Sequence, residues 1–348
     1  MDRTELVARL ERINPALATK EIVPTLTCFC FREGQAESYD DILGLRTDLD
    51  LGFEGGLKGS VLLNYLKASR AKEVIIEPEN GAVKLKLGRS KLELPLVPAE
   101  DFVFQFPPLE DGIEFPITQD FLEVLRPAAI SMGVNPSHPW RLGVTVSFQR
   151  GSVNLYSCDN PTISHVEAKI SVPKELVGSV LILPPRLVDQ LLSRGASPSK
   201  LYFGPGWVQA GYKDSSTVLF ARGIDDVRVE EFEGLLQQST SDKVYDIPDA
   251  MAGALDRVMV VLANSTDKYA DITVKAGRLY MVSQSILGGV KESFKTNHPD
   301  VEARASAEFL RRAIKHASQF HIHDNYIVFR GDKGFTHIVA TAATTTQE

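Results

Sequence analysis

Two short motifs in this sequence hold residue types that metal binding or acid–base catalysis uses. His321 and His323 lie two positions apart, the spacing at which two imidazoles share one face of a strand. A zinc site needs three or four ligands from separate elements, and no second pair accompanies these two histidines. Asp48 and Asp50 form a close acidic pair, but aspartate at a strand-to-loop turn commonly caps backbone N–H groups. We therefore expect neither a metal site nor a cofactor.

The cysteines and the glycine-rich segments do not indicate catalysis either. Cys28 and Cys30 share one face of the apolar run TLTCFCF, where we expect buried packing residues rather than half of a metal site. Gly204-Pro205-Gly206 is a turn without a following helix, so it is not a phosphate loop. The motifs GxSxG, HExxH and GxxxxGKS/T do not occur. We predict that the protein is not an enzyme.

Basic side chains at helical spacing suggest a different chemistry, the non-specific binding of phosphates. A helix expected over residues 306–318 places Leu310 and Ala313 on an inner face and Arg311, Arg312 and Lys315 on the outer face. Basic residues gathered on helices of an otherwise acidic chain are those expected to line a channel for phosphates. Any one of them could instead belong to a solvated helix face. The further candidates are Arg9, Arg12, Lys67, Arg70, Lys72 and Arg186.

Composition sets the class and the size of the fold. The chain has 348 residues, which predicts two or three domains, and its 43% hydrophobic and 24% charged residues are typical of a soluble globular protein. The N-terminus carries acids where a signal peptide needs a basic and an apolar segment, so we expect a cytoplasmic protein. The formal charge of −7 argues against tight coating of nucleic acid but permits a positive channel.

The elements that must position these residues follow one order three times. An amphipathic helix over residues 3–17 precedes strands, the first expected from Val23 to Phe31. A second helix near 60–67 precedes a hairpin of two alternating runs, 83–87 and 92–96, around a turn at Gly88. The order helix, strands, helix, strands then returns twice, with corresponding positions 111 and 124 residues apart in a chain whose third is 116. We predict an α+β fold of three tandem copies, 1–108, 109–240 and 241–348, each with two helices on antiparallel sheets.

Three segments of the first copy carry a resemblance to a known family. GRSKLEL (88–94), PAEDF (98–102) and RTDLD (46–50) resemble the first domain of the bacterial sliding clamp, the β subunit of the replicative DNA polymerase. The resemblance implies half of a head-to-tail homodimeric ring, of cellular or bacteriophage origin, that encircles double-stranded DNA. It implies a processivity factor that tethers DNA polymerase and the clamp loader through short apolar peptides.

The resemblance also assigns sites. Lys20 stands where such clamps place a DNA-contacting Arg, and Trp140 and Arg141 stand where they place DNA-contacting aromatic residues. The partner-peptide pocket of these clamps lies between the second and third domains, where Asp159 and Ile163 match the family run Thr-Asp-Gly-His-Arg-Leu. The full predicted pocket is Cys158, Asp159, Thr162, Ile163, Leu235, Leu236, Val339, Ala340 and Thr341.

The subunit contact is predicted from an unpaired sheet edge. A strand at 103–106 with Phe104 and Phe106 is the candidate, because an unpaired edge invites a partner strand. Two other functions remain open: a clamp-like monomer that serves as an interaction module, and a metal-dependent DNA-processing enzyme. The enzyme would require convergent carboxylates, which the sequence does not show in clear order.

Overall fold

The computed structural model describes residues 1–133, 135, 137–193, 198–212, 216–238 and 243–342. Within these ranges it contains seven α-helices, and every pair of neighbouring strands is antiparallel. The helices are α1 (Arg3–Ile13), α2 (Gly59–Ala68), α3 (Gln119–Ala128), α4 (Pro185–Ser193), α5 (Val229–Gln238), α6 (Met251–Val261) and α7 (Ala307–Ala313).

The strands are short and most are joined as hairpins. The first twelve are β1 (Cys28–Arg32), β2 (Gln35–Tyr39), β3 (Leu43–Asp48), β4 (Gly55–Lys58), β5 (Ile75–Glu79), β6 (Ala82–Leu87), β7 (Ser90–Pro95), β8 (Ile113–Pro116), β9 (Val144–Gln149), β10 (Ser152–Cys158), β11 (Thr162–Ala168) and β12 (Val180–Leu183). The others are β13 (Pro198–Gly204), β14 (Trp207–Tyr212), β15 (Val218–Arg222), β16 (Tyr245–Asp246), β17 (Tyr269–Lys275), β18 (Arg278–Ser285), β19 (Gly288–Lys295), β20 (Val301–Ser306), β21 (Gln319–Ile322), β22 (Tyr326–Arg330) and β23 (Thr336–Ala340).

The repeated order of elements is confirmed. Each copy has a helix, four strands, a second helix and three strands: α1 to β7, then α3 to β15, then α6 to β23. The short strands β8 and β16 precede the second and third copies, and α5 lies in the connection before the third. The alternating runs around Gly88 form the predicted hairpin β6–β7, and Gly88 adopts a φ of 60°, which glycine tolerates without strain.

Two large sheets combine strands of successive copies. The first has the order β4-β1-β2-β3-β15-β14-β13-β8 and the second β12-β9-β10-β11-β23-β22-β21-β16. In each sheet, the first four strands of one copy pair at their edge with the last three strands of the next copy, through β3 and β15 in the first sheet and through β11 and β23 in the second. The remaining strands form a four-stranded sheet, β19-β18-β17-β20, and a three-stranded sheet, β5-β6-β7.

The chain divides into two compact units that do not follow the copies. One unit is Met1–Thr118 with Asp189–Gly223, and the other is Gln119–Val188 with Ile224–Glu348. Each unit holds one eight-stranded sheet, so the pairing of β3 with β15 and of β11 with β23 explains the division. The boundary expected at 108/109 stays a prediction, and the one at 240/241 lies outside the described residues.

The helices pack against the sheets through the inner stripes that the sequence indicates. In α1, Leu6, Leu10 and Ile13 are fully buried, and the backbone N–H of Glu5 donates to the Asp2 carboxylate at 2.9 Å as an N-cap. In the third copy, Leu255, Val258 and Leu310 belong to one buried cluster with the strands beneath them. Burial of each such side chain contributes roughly 1.5–3 kcal/mol.

Several elements differ from the sequence expectation. The first strand begins at Cys28 rather than at Val23, because Pro24 has no N–H to donate to a strand ladder and instead begins a 3-10 turn, Pro24–Thr27. The last helix ends at Ala313, short of the expected 318. Residues 103–106 are not a strand. The edge strand β19 and its sheet-mate β20 were not predicted, because GGVKESFK has few of the β-branched residues that indicate a strand.

Candidate DNA-binding and partner-binding surfaces

The helices of the first copy carry basic side chains in pairs with acids. α1 and α2 pack side by side. On or just after them, Arg12, Lys67, Arg70 and Lys72 are exposed and Arg9 is half-buried. Arg9 Nη2 lies 2.6 Å from Glu5 Oε1, and Lys67 Nζ lies 2.7 Å from Glu11 Oε1. Because exposed ion pairs are weak, a phosphate can compete for either cation.

The basic cluster of the third copy has the same arrangement. Arg311 Nε donates to Asp256 of α6 at 2.5 Å, and Arg312 donates to Glu308 one turn earlier in α7. Lys315 is exposed just after α7. Arg186, on α4, is half-buried. The structure therefore places three of the predicted cations together on one helix and its C-terminal extension.

Strand pairing brings two segments of the predicted partner pocket together, but their side chains are covered. Thr162 pairs with Val339 across β11 and β23, and the N–H of Ala340 donates to the carbonyl of Pro161 at 2.8 Å. Cys158, Thr162, Ile163 and Val339 are all at most 5% exposed. Ile163 packs with Trp140 and Phe232 on one face of this sheet, so these two rings cover it. Val339 belongs to the buried cluster of the third copy on the other face, so the structure does not bring Ile163 and Val339 into one slot.

The other pocket residues lie around these covered side chains. On α5, Leu235 is 39% exposed and Leu236 packs against the cluster. The Asp159 carboxylate accepts the N–H of Asn160 at 2.7 Å, in the turn that leads into β11. Thr341 donates its hydroxyl to the carbonyl of Asp324 at 2.9 Å.

Comparison with solved structures identifies the architecture. The chain superposes on the sliding clamp of Bartonella birtlesii bound to griselimycin with a TM-score of 0.84 and 15% identity, covering 99% of this chain and 98% of that one. The Bacillus subtilis clamp gives a TM-score of 0.82 at 15% identity over 99% and 98% of the two chains. The β subunit of Thermotoga maritima DNA polymerase III gives 0.79 at 16% over 99% of both. The chain has the fold of bacterial DNA sliding clamps.

This confirms the three-copy clamp fold that the resemblance implied. Since the identities are at most 16% in these comparisons, the likeness establishes the fold and not the activity. No family model and no curated protein matches the sequence. In the part of the chain that the structure describes, no helix combines the length and apolar character needed to cross a membrane.

Within the clamp fold, Trp140 has a different place from the one expected. It is 6% exposed, and its ring meets Phe232 edge-on at 5.3 Å between centroids. Arg141 lies 4.6 Å above the Trp140 ring and donates to the Asn160 side chain. A DNA base cannot stack on a ring buried in this way, so the structure assigns Trp140 to packing. Lys20 lines a cavity in the first unit.

The candidate subunit contacts Phe104 and Phe106 lie inside the first unit of the clamp fold. Phe104 stacks on Tyr39 at 3.7 Å between ring centroids, and Phe106 is 9% exposed in a cluster with Trp207 and Phe220. Gly44 leaves room for them, since a Cβ there would meet the Phe106 ring at 3.1 Å. Their role here is to cover the first eight-stranded sheet.

Helix α5 was not predicted from the sequence. Its residues Val229, Phe232 and Leu236 pack on the sheet at the junction of β11 and β23. Their spacing of three and four is helical and could have been recognised. From this run only Leu235 and Leu236 were predicted, as residues of the partner pocket.

The remaining chemistry-bearing residues form packing networks. The three cysteines are free and buried, and burial raises the pKa of Cys30 to about 12 and of Cys158 to about 11. The ring of His323 stacks on Tyr326 at 4.8 Å. Among the residues that the structure describes, no three His, Cys, Asp or Glu side chains are grouped as metal ligands.

Proposed function

We propose that this protein is a DNA sliding clamp and processivity factor. Two copies join head to tail in a ring around double-stranded DNA and tether a DNA polymerase, with other replication proteins, through short apolar peptides. It acts in the cytoplasm, on cellular or bacteriophage DNA, and it has no catalytic activity of its own. The near-complete coverage by sliding-clamp structures supports this proposal.

The observation that carries the proposal is that, within the described residues, the four-stranded sheet and the three-stranded sheet each lack the partner strands that complete the two eight-stranded sheets. Pairing of β3 with β15 and of β11 with β23 joins successive copies within the chain. By the same pattern β19, the counterpart of β3 and β11, should pair with β7, the counterpart of β15 and β23. Both are sheet edges among the described strands. A second copy can supply each missing neighbour, and the two identical junctions close the assembly.

The candidate cations suit a ring that moves along DNA. Phosphate contacts from Lys and Arg are independent of sequence, and contacts to base edges would arrest sliding. The proposed set is Lys20, Arg9, Arg12, Lys67, Arg70, Lys72, Arg141, Arg186, Arg311, Arg312 and Lys315.

The test combines solution mass with retention on DNA of two topologies. A homodimer should have twice the chain mass of 38.3 kDa. At a salt concentration that weakens simple phosphate contacts, the dimer should co-elute with a nicked circular plasmid and separate from the same plasmid made linear. A monomer, or equal loss from both DNAs, would favour the interaction-module hypothesis instead.

A further inference from the structure

The first unit contains an open apolar cavity of about 640 Å³. Segment 18–26 forms one wall, Cys28 and Cys30 of β1 form part of the floor, and Phe104 with Val103 forms another wall. Ile22 and Val103 line it and are 83% and 93% exposed. Exposed aliphatic side chains of this size beside an apolar cavity mark a binding groove more often than a structural defect.

The cavity has an internal counterpart in the second unit. The turns that follow β2 and β10 both begin with an aspartate whose N–H donates to the carbonyl three residues later, Asp40 to Leu43 and Asp159 to Thr162. The last pair before each turn is Tyr39 with Gly44 and Cys158 with Ile163. Tyr39 therefore corresponds to Cys158, and by the same register Glu37 corresponds to Tyr156.

The two counterparts differ in what covers these positions. In the second unit, Trp140 packs in one cluster with Tyr156 and Cys158. In the first unit the corresponding positions, Glu37 and Tyr39, line the open cavity. Segment 18–26 precedes β1 as the Trp140 segment precedes β9, but it contains no aromatic residue. The Trp140 indole therefore covers this position in the second unit, whereas the corresponding position in the first unit is open.

The charges around the cavity restrict its occupant. Glu37 forms a buried ion pair with Arg32 at 2.6 Å, and Arg32 also donates to the carbonyl of Phe104 at 2.7 Å, which fixes the wall. Beyond this pair the lining carries the cation Lys20 and the carboxylates Asp40 and Asp41. Asp40 accepts the N–H of Leu43 at 2.9 Å, and Asp41 forms an exposed ion pair with Arg222 at 3.1 Å, for which a cation of an occupant can compete. An occupant that places an apolar or aromatic anchor in the cavity and a cation beside it complements this distribution.

We propose that this cavity binds an extended peptide of a partner protein, with a leucine or aromatic anchor flanked by Lys or Arg. The site is separate from the predicted pocket at β11 and β23. It does not depend on ring closure, so its test is distinct from the DNA-retention test. The chain would then have a peptide-binding site on its first copy in addition to the predicted pocket at β11 and β23.

The test measures binding of a fluorescent hexapeptide, Gly-Lys-Leu-Phe-Lys-Gly, by anisotropy with the full-length chain. The site variant is I22N/V103N, which removes exposed apolar contacts without adding charge. The matched control is I286N/L287N, because Ile286 and Leu287 are 94% and 57% exposed and do not line the cavity. A second probe has Ala-Ala in place of Leu-Phe, and a third has Glu in place of both Lys.

We expect saturable binding of the first probe below about 1 mM and at least about tenfold weaker binding to the site variant, with the control unchanged. The Ala-Ala and Glu probes should bind more weakly than the first. Absence of saturable binding to the wild type, or equal binding by the site variant, would overturn the proposal. So would loss of binding in Ile163→Asp with I22N/V103N unaffected, since that would place the peptide at the β11–β23 junction.

Discussion

His337 links the stability of the second unit to pH. Its Nδ1 lies 2.8 Å from the Ser164 hydroxyl, and complete burial lowers its pKa to about 3 from the ordinary 6.5. The folded state therefore keeps the imidazole neutral, while the unfolded chain binds a proton below pH 6.5. The contribution of the neutral imidazole to the free energy of unfolding is therefore complete above pH 6.5 and is lost as the pH falls towards 3.

Replacing His337 by Asn should therefore reduce the pH dependence of unfolding. Between pH 7 and pH 5 we expect the free energy of unfolding to fall by about 2 kcal/mol less in the variant than in the wild type. Urea titrations at the two pH values measure this difference. His323→Asn, at an exposed position, is the control, and an unchanged difference in His337→Asn would contradict a neutral buried imidazole.

A substitution at Phe106 tests whether this residue packs inside the first unit or contacts a second subunit. Its ring is buried with Trp207 and Phe220, so Phe106→Asp places a carboxylate among aromatic rings and should cost about 3 kcal/mol or more of stability. Val103→Asp, at a side chain 93% exposed, should stay within about 0.5 kcal/mol. Thermal unfolding compares the two. A stable Phe106→Asp monomer would restore Phe106 as a dimer contact.

At the residue scale, the sequence predicted which charged side chains are exposed better than it predicted where aromatic side chains pack. Arg12, Lys67 and Lys315 are exposed as their helical spacing indicates, because the polar face of an amphipathic helix is set by local periodicity. The positions of Trp140 and Phe104 could not be predicted in this way. Each packs on a partner distant in sequence, Phe232 and Tyr39 respectively, and no local pattern specifies those contacts.

At the element scale, β7 is the edge that we expect to join a second copy. Leu92→Asp puts a charge on this strand and should shift the solution mass from dimer to monomer with little change in secondary structure. Ile76→Asp, on the opposite edge strand β5, is the matched control and should leave the dimer intact, because Ile76 is half-buried and pairs with Leu85 as Leu92 does. Sedimentation measures both masses. Dissociation by Ile76→Asp alone would place the junction at the β5 edge of the three-stranded sheet.

Helix α7 with its extension is the element whose DNA contribution is most directly testable. Replacing Arg311, Arg312 and Lys315 together by Ala should lower the slope of log affinity against log salt by up to about 3. The control removes Lys84, Lys86 and Lys200, which are equal in charge and lie on strands. Binding by filter retention across a salt series compares the two variants. Equal slopes would show that α7 does not face DNA.

The sequence predicted the elements unevenly, for a physical reason. The hairpin β6–β7 is specified by local periodicity and a glycine turn, and it forms as predicted. Local periodicity also specifies α1, which begins at the predicted Arg3 but ends at Ile13 rather than at residue 17, because Pro15 follows. The pairing of β3 with β15 joins residues more than 170 positions apart, as in Leu219 with Leu45. Only the three-dimensional structure could show that the sheets run across the copies.

At the scale of the whole molecule, we propose that DNA is held by enclosure and not by affinity. Enclosure predicts that retention depends on whether the DNA has ends. It also predicts that a variant with a weakened junction, Leu92→Asp, loses retention even though every candidate phosphate contact remains.

The most direct measurement starts from protein already retained on a nicked circle and isolated from free protein by gel filtration. A restriction enzyme then cuts the plasmid once, and the protein remaining with the DNA is followed over time. We predict stable retention on the uncut circle and release after the cut, with the DNA sequence and total phosphate unchanged. Equal retention before and after the cut would contradict a ring that encircles DNA.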